Sequence, residues 1–209
     1  MLLYYITDRK GFAGDDGEQR MALLRRIAEA ARAGVDYIQL REKDLDTADL
    51  ELLAREALHV VRENSAATKL LINTRTDVAL AIGADGVHLP ADSPSAREVR
   101  ANWMQQCQRE PLIGASAHTI GDVKRAEADA VTFAVLAPVF EKIATGTKGF
   151  GLDTLREACA GSRIPVLALG GVNLANARSC LNAGATGIAG IRLFQQGDVA
   201  ETVRELRAL

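Results

Sequence analysis

The chain alternates short apolar runs with longer amphipathic stretches, and the alternation continues along its whole length. Pro165–Gly170 (PVLALG) is apolar at almost every position, which is typical of a strand covered on both faces. Gln19–Ala33 places apolar side chains three and four residues apart, which predicts an amphipathic helix. Such alternation favours a parallel sheet, because neighbouring parallel strands need a crossover connection.

The pattern predicts strands over Leu2–Thr7, Tyr37–Glu42, Lys69–Thr74, Gly86–Pro90, Leu112–Ala117, Ala130–Ala137, Pro165–Gly170 and Gly187–Arg192. It predicts helices over Gln19–Ala33, Thr47–Glu63, Asp77–Ile82, Ser95–Trp103, Ile120–Ala128, Leu152–Ala160, Leu174–Ala183 and Val199–Leu209. Repeated strand–helix units of this kind favour an α/β fold, a (β/α)8 TIM barrel in which residues 1–209 form a single domain. An open doubly wound sheet is the rival fold, but the first strand ends in Thr7-Asp8-Arg9 without a G-x-G-x-x-G motif.

Glycines at three predicted helix ends support the barrel. Gly34, Gly83 and Gly184 each precede a strand, in a sequence cadence that recurs along the chain. A left-handed residue commonly ends a helix, and glycine adopts that conformation at little cost.

Composition narrows the class of protein. Of 209 residues, 48% are hydrophobic and 25% charged, and 25 Lys and Arg against 27 Asp and Glu give a net charge of −2. This balance argues against a nucleic-acid partner, because proteins that bind nucleic acids usually carry an excess of basic residues. We expect a cytoplasmic protein without membrane contact. The three cysteines are scattered, and the sequence has neither a signal peptide nor an apolar run long enough to cross a membrane.

Side chains predicted at the C-terminal ends of the strands, where barrels place their active sites, are rich in cations and amides. They include Asp8 and Arg9 after the first strand, and Gln39, Arg41 and Lys43 on one face of the second. An anionic ligand is therefore expected, with the second strand as a candidate pyrophosphate clamp. A solvated strand end with a local Arg–Glu pair is the alternative.

Glycines near the last two strands form a candidate phosphate site. Bare backbone N–H groups at Gly170, Gly171 and Gly190 could approach phosphate oxygens, although tight turning and strand crowding would also select glycine. The loop Thr145–Gly151 lacks P-loop spacing. We interpret it either as a lid that carries Lys148 to a phosphate or as an ordinary solvated loop. His118 is a candidate acid–base group, but for His118 or His88 taken alone a structural role is favoured over catalysis. His59 is expected to be structural or exposed.

Taken in order, several segments resemble the thiamin phosphate synthase and thiazole tautomerase family. The segments are Tyr5–Arg9, Gly34–Leu45, Leu70–Leu89, Gly114–Thr119, Ala137–Phe140, Thr147–Lys148, Pro165–Val172 and Ala183–Ile191. The resemblance implies a (β/α)8 barrel that joins a hydroxymethylpyrimidine pyrophosphate to a thiazole phosphate and releases pyrophosphate. It implies that the pyrimidine pyrophosphate is held by Gln39, Arg41, Lys43, Asn73 and Lys148, with Ser116 nearby. It implies that the thiazole phosphate is held by Thr145 or Thr147, Gly171, Gly190 and Ile191.

The chain departs from the synthase pattern at both positions expected to bind Mg²⁺. Thr74 and Ser93 stand where the synthase has aspartates, and Asp92 lies one position early. Pro90-Ala91 replaces a Gly-Gln pair, and the Leu89-Pro90 pair is more similar to the tautomerase. Arg192 replaces a small serine. The Mg²⁺ expected for a synthase would therefore rest on Asp92.

The expected function is thiamin phosphate synthase, a transferase with small phosphate and pyrophosphate substrates. One alternative is the tautomerase, which isomerises a thiazole carboxylate phosphate without metal through a histidine that matches His118. The other alternative is a non-catalytic paralogue that binds a phosphate ligand. A homodimer through outer helices is a further expectation.

Overall fold

A computed structural model describes residues 1–93, 95–141, 146 and 148–209. In these ranges the strands are β1 (Leu2–Ile6), β2 (Tyr37–Leu40), β3 (Lys69–Asn73), β4 (Gly86–Leu89), β5 (Leu112–Ala117), β6 (Phe133–Leu136), β7 (Val166–Ala168) and β8 (Gly187–Gly190). The helices are α1 (Asp16–Ala33), α2 (Thr47–Asn64), α3 (Thr76–Ile82), α4 (Ala96–Cys107), α5 (Ile120–Ala128), α6 (Gly151–Ala160), α7 (Leu174–Asn182), α8 (Arg192–Gln195) and α9 (Val199–Arg207). A single turn of 3₁₀ helix covers Arg9–Gly11.

The strands of the described residues form one closed parallel barrel in the order β1 to β8. Each strand pairs with the next in sequence, and β1 returns to β8 with Leu2 opposite Gly187 and Tyr5 opposite Gly190. The predicted (β/α)8 architecture is confirmed. Every strand therefore delivers its carboxyl end to the same rim.

Alternate strand positions divide the core into two layers. Tyr4 and Ile6 face the barrel interior and pack with Leu71, Phe133 and other inward side chains. Leu3 and Tyr5 face outward and join the larger cluster between the strands and the helices. Because parallel strands are covered on both faces, both alternating sets are buried, as the apolar runs predicted.

Local chemistry explains most differences between predicted and observed boundaries. Helix α1 begins at Asp16, three residues before the predicted start, because Asp15 and Glu18 form a capping box. Strand β7 ends at Ala168, since Gly170 is left-handed with φ 93°. Strand β8 ends at Gly190, and Arg192 opens the short helix α8 rather than closing the strand as predicted.

The three glycines predicted to end helices are left-handed. Gly34, Gly83 and Gly184 have φ of 88°, 70° and 99°. Within the described ranges, no helix combines the length and the apolarity that a membrane span requires.

Two nearby glycines are required for different reasons, and their alanine variants should separate these reasons. A Cβ on Gly83 would meet nothing within 4 Å but would strain the left-handed backbone. A Cβ on Gly86 would overlap the Leu112 carbonyl across the β4–β5 pair. We expect Gly83→Ala to cost about 1 kcal/mol and Gly86→Ala about 3 kcal/mol or more. Urea unfolding measures both, and equal losses would contradict the assigned contact.

Candidate active site at the barrel mouth

A cavity of about 860 Å³ opens at the carboxyl ends of the strands. The structure brings together in its lining most of the predicted site residues: Gln39, Arg41, Lys43, Asn73, Thr74, Asp92, Ser116, His118 and Ile191. They lie in or directly after β2, β3 and β5, and in the segments after β4 and β8. The volume lies within the range typical of small-molecule sites.

Arg41 and Lys43 provide positive charge at the end of β2. Neither side chain forms an ion pair or side-chain hydrogen bond with another residue of the described chain, and Lys43 is exposed at the rim. Between them, the carboxylate of Glu42 is directed toward β1, where it accepts from Thr7 Oγ1 at 2.5 Å and from the Arg9 N–H at 3.0 Å. Both cations are therefore available to an anionic ligand.

Thr7 and Glu42 also fix the backbone that carries these cations. The Arg41 N–H donates to Thr7 Oγ1 at 3.0 Å, so one hydroxyl joins the end of β1 to the two consecutive residues Arg41 and Glu42 that follow β2. Burial raises the pKa of Glu42, and the hydrogen bonds from Thr7 and Arg9 oppose that effect. The backbone that carries Arg41 and Lys43 is thus held by buried hydrogen bonds between the ends of β1 and β2.

Arg9, a mouth candidate in the sequence, is a structural residue. Its side chain is 4% exposed, and its guanidinium donates to both carboxylate oxygens of Asp44, at 2.6 and 2.8 Å, and to Asp16 at 2.8 Å. Hydrogen bonds from Arg9 and Lys10 hold the pKa of Asp44 well below its usual range. The charge of Arg9 is therefore compensated by these carboxylates, and its ion pairs join the segments after β1 and β2.

Gln39 lies deeper than the cations and takes part in a buried hydrogen-bonded chain. Its Nε2 donates to the hydroxyl of Tyr4 at 2.9 Å. The same hydroxyl lies 3.2 Å from His88 Nδ1, and His88 Nε2 lies 2.9 Å from Ser116 Oγ. His88 is therefore structural, as expected, but it also connects the barrel interior to a residue of the cavity.

His118 has one ring nitrogen fixed by the backbone. Nδ1 lies 2.9 Å from the carbonyl oxygen of Ala137, which accepts only, so Nδ1 carries the proton and the neutral ring has its basic nitrogen at Nε2. The His118 N–H donates to Asp122 Oδ2 at 2.8 Å, which secures the loop after β5. The exposed ring lines the cavity.

At the end of β3, the positive charge of Arg75 is paired with a neighbouring carboxylate. Asn73 Nδ2 donates to Thr74 Oγ1 at 2.8 Å. Arg75 makes a bidentate pair with Asp77, and each partner shifts the pKa of the other away from neutrality. Asn73 therefore remains the polar group of β3 best placed for a ligand, while the charge of Arg75 is compensated.

The glycines after β7 have a packing role that the structure makes explicit. Gly170 and Gly171 are left-handed, with φ of 93° and 66°. A Cβ on Gly170 would lie 2.7 Å from Pro138 Cα, and one on Gly171 would lie 2.7 Å from Phe140 Cβ. Close approach of the segment after β6 thus requires glycine, and the predicted phosphate role is an additional possibility for the same backbone.

Two other predicted phosphate contacts lie near β8. Ile191 lines the cavity and leads into α8, while Gly190 lies under Leu193, whose Cβ would be 2.9 Å from an added Cβ. Of the loop after β6, Thr145 and Thr147 lie outside the described residues, and Lys148 is exposed and outside the described lining of the cavity. The predicted roles of Gly171, Gly190, Thr145, Thr147 and Lys148 remain predictions.

The donor set does not fit a resident magnesium ion. Thr74 offers a hydroxyl that already accepts from Asn73, Ser93 offers a second hydroxyl, and Asp92 supplies one carboxylate at the cavity. Within the ranges the structure covers, no three His, Cys, Asp or Glu side chains are arranged to hold a metal ion. Mg²⁺ usually takes one or two carboxylates plus substrate phosphates, so these side chains alone do not make such a site.

Sequence reasoning missed Tyr4. Its hydroxyl is the central link between Gln39 and His88, yet Leu2–Thr7 was interpreted only as an apolar strand. A signal existed, because Tyr4 and Ile6 are alternate residues facing one side, and a buried tyrosine hydroxyl needs a hydrogen-bond partner.

The fold and the mouth define a (β/α)8 barrel in which two cations, unpaired among the described residues, lie beside a hydrogen-bonded series of polar side chains. The sequence model of the thiamine monophosphate synthase family matches residues 3–194, and the chain belongs to this family. The putative thiamine-phosphate synthase 2 of Aquifex aeolicus is 40% identical over 196 residues, which cover 92% of this chain and 96% of that protein. The thiamine-phosphate synthase of Roseiflexus is 36% identical over 190 residues, covering 90% of this chain and 75% of that protein.

Solved structures agree with this assignment. The thiamine phosphate pyrophosphorylase of Pyrococcus furiosus superposes with a TM-score of 0.80 at 29% identity, covering 99% of this chain and 94% of that one. A 3-hexulose-6-phosphate synthase superposes with a TM-score of 0.66 at 18% identity, which shows the shared fold alone.

Thr74 offers a test of both strain and metal binding at the mouth. Its φ of 62° is unfavourable for a β-branched residue and more acceptable for Asp or Asn. We expect Thr74→Asp and Thr74→Asn to raise the free energy of unfolding by about 1 kcal/mol, as relief of backbone strain. Only Thr74→Asp should gain further thermal stability when Mg²⁺ and pyrophosphate are added together. Thermal melts with and without both ions measure this, and an equal response of the Asn variant would contradict a ligand position at residue 74.

Proposed function

We propose that this protein is a thiamin phosphate synthase. It would couple hydroxymethylpyrimidine pyrophosphate to thiazole phosphate and release pyrophosphate. The observation that carries the proposal is the convergence of Arg41, Lys43, Asn73 and Ser116 on one cavity from the carboxyl ends of β2, β3 and β5. Family membership and the printed functions of the relatives support the same reaction.

The reaction breaks the bond between the pyrimidine methylene carbon and a pyrophosphate oxygen. The electron pair leaves with pyrophosphate, and the resulting pyrimidinyl cation is captured by the thiazole nitrogen, which forms the new C–N bond. Charge therefore develops on the leaving group, where positive side chains stabilise the transition state more than the substrate. Arg41 and Lys43 are the residues proposed for this role, because their charges are uncompensated within the described chain.

The remaining cavity residues would bind and orient the two substrates. Asn73 and Ser116 offer neutral hydrogen-bonding groups to the pyrophosphate, while Gln39 lies at the depth of the barrel interior, 1% exposed. The thiazole phosphate is assigned to the opposite side of the mouth, near Gly171, Gly190 and Ile191. Holding the thiazole nitrogen against the reacting carbon provides the proximity contribution.

Several further properties belong to the proposal. Use of Mg²⁺ would rest on Asp92 and the substrate's own phosphate oxygens, and no step above depends on it. We place the enzyme in the cytoplasm, without nucleic-acid or membrane partners. A homodimer would use outer helices, where Met21, Leu52 and Met104 expose apolar surface.

Thiazole tautomerase is the second candidate, and the geometry of His118 favours it. The ring presents a basic Nε2 at the cavity while its other nitrogen is held by Ala137, as proton transfer requires. Thr74 and Ser93 in place of carboxylates point the same way, since the isomerisation needs no metal. The Arg41–Lys43 pair favours the synthase, because a tautomerase substrate carries no pyrophosphate.

The test is chromatography of phosphate products after incubation with both synthase substrates, with Mg²⁺ and then with a chelator. We expect thiamin phosphate and pyrophosphate in equal amounts. Lys43→Ala should lower the rate at least about tenfold, because a charge-assisted contact to the leaving group is lost. Lys124→Ala, which removes an exposed lysine of α5, is the matched control and should keep the full rate.

Two results would overturn the proposal. Isomerisation of thiazole carboxylate phosphate without any thiamin phosphate would identify a tautomerase. Binding of thiazole phosphate without turnover of either substrate set would identify a non-catalytic paralogue.

A further inference from the structure

We infer that the buried Tyr4–His88 pair fixes the direction of a hydrogen-bonded chain, and that it thereby holds the Ser116 hydroxyl as a donor toward the ligand. The chain runs from Gln39 through Tyr4 and His88 to Ser116. Tyr4 is absent from the lining of the cavity, so it would act as a positioning residue. The inference deepens the proposed function, on which it rests only for the identity of the ligand.

The direction of donation in this hydrogen-bonded series follows from assigning a proton to each hydrogen bond. Gln39 Nε2 can only donate, so the Tyr4 oxygen accepts from it. Within the described chain the Tyr4 hydroxyl has His88 Nδ1 as its other polar contact, and leaving a buried O–H without an acceptor is costly. Tyr4 therefore donates to Nδ1, which must be unprotonated.

The state of His88 then decides the role of Ser116. Burial and the nearby Arg41 lower the pKa of His88 to about 3, so the ring is neutral at physiological pH. A neutral ring without a proton on Nδ1 carries it on Nε2. Nε2–H donates to Ser116 Oγ, and the serine proton has no acceptor among the residues the structure describes.

Ser116 borders the cavity, so its proton is directed to whatever occupies the mouth. A fixed donor suits an anionic oxygen of a phosphate or pyrophosphate. The chain would thus set ligand preference from inside the barrel, through two residues with no charge of their own at neutral pH.

The tautomer of His88 tests the inference directly. Long-range ¹H–¹⁵N NMR spectra of the ligand-free protein should show His88 with an unprotonated Nδ1 and a protonated Nε2. Tyr4→Phe should abolish the fixed tautomer and give a mixture of the two forms. Tyr5→Phe, which removes the neighbouring buried hydroxyl bonded to Gln195, is the matched control and should leave the His88 signals unchanged.

Binding of inorganic pyrophosphate, measured by calorimetry without metal, tests the consequence. Ser116→Ala should weaken binding about tenfold, as expected for a hydrogen bond to a charged group. Tyr4→Phe should weaken it about threefold and should add nothing to Ser116→Ala in the double variant, because both act through one hydroxyl. Tyr5→Phe should bind like the unmodified protein.

A protonated Nδ1 in the unmodified protein would overturn the inference even if Tyr4→Phe failed to fold. Fully additive losses in the double variant would overturn it as well. Neither readout depends on turnover, so failure of the proposed synthase activity would be seen separately, in the product assay.

Discussion

Closure of the barrel between β1 and β8 is the constraint on which the site depends. This pairing sets Leu2–Tyr5 beside Gly187–Gly190, and a Cβ on Gly187 would overlap the Leu2 carbonyl. Tyr5 and the backbone of Asp8 reinforce the closure through the side chain of Gln195. With the circle complete, residues far apart in sequence share one rim, and Tyr4 reaches His88 across the interior.

Charge at that rim is divided between structure and function. Arg9 and Arg75 are neutralised by acidic neighbours and secure the loops after β1 and β3. Arg41 and Lys43 have no such partner within the described chain, and the proposed function uses them to stabilise the developing charge of the leaving group. Similar cations therefore have opposite roles, and their distance from a carboxylate decides which.

Sequence pattern was sufficient for the barrel and for most of its mouth. Because alternate residues of a strand point to the same face, Gln39, Arg41 and Lys43 were expected on one side, and all three line the cavity. The sequence pattern could not distinguish Arg9 from Arg41, because the carboxylates that bind Arg9 belong to the start of α1 and to the loop after β2, and their approach to Arg9 depends on tertiary structure. The role of Tyr4 was likewise hidden, since its partners lie 35 and 84 residues away in the chain.

The proposed function requires this mouth to bind the pyrophosphate that is released when thiamin phosphate is made. The most direct measurement is a crystal structure of the protein grown with thiamin phosphate and pyrophosphate. We expect pyrophosphate oxygens bound to Arg41 and Lys43, with Ser116 Oγ within hydrogen-bonding distance and His88 unmoved behind it. Pyrophosphate bound on another face of the barrel, or a mouth that takes up the thiazole phosphate alone, would contradict the claim.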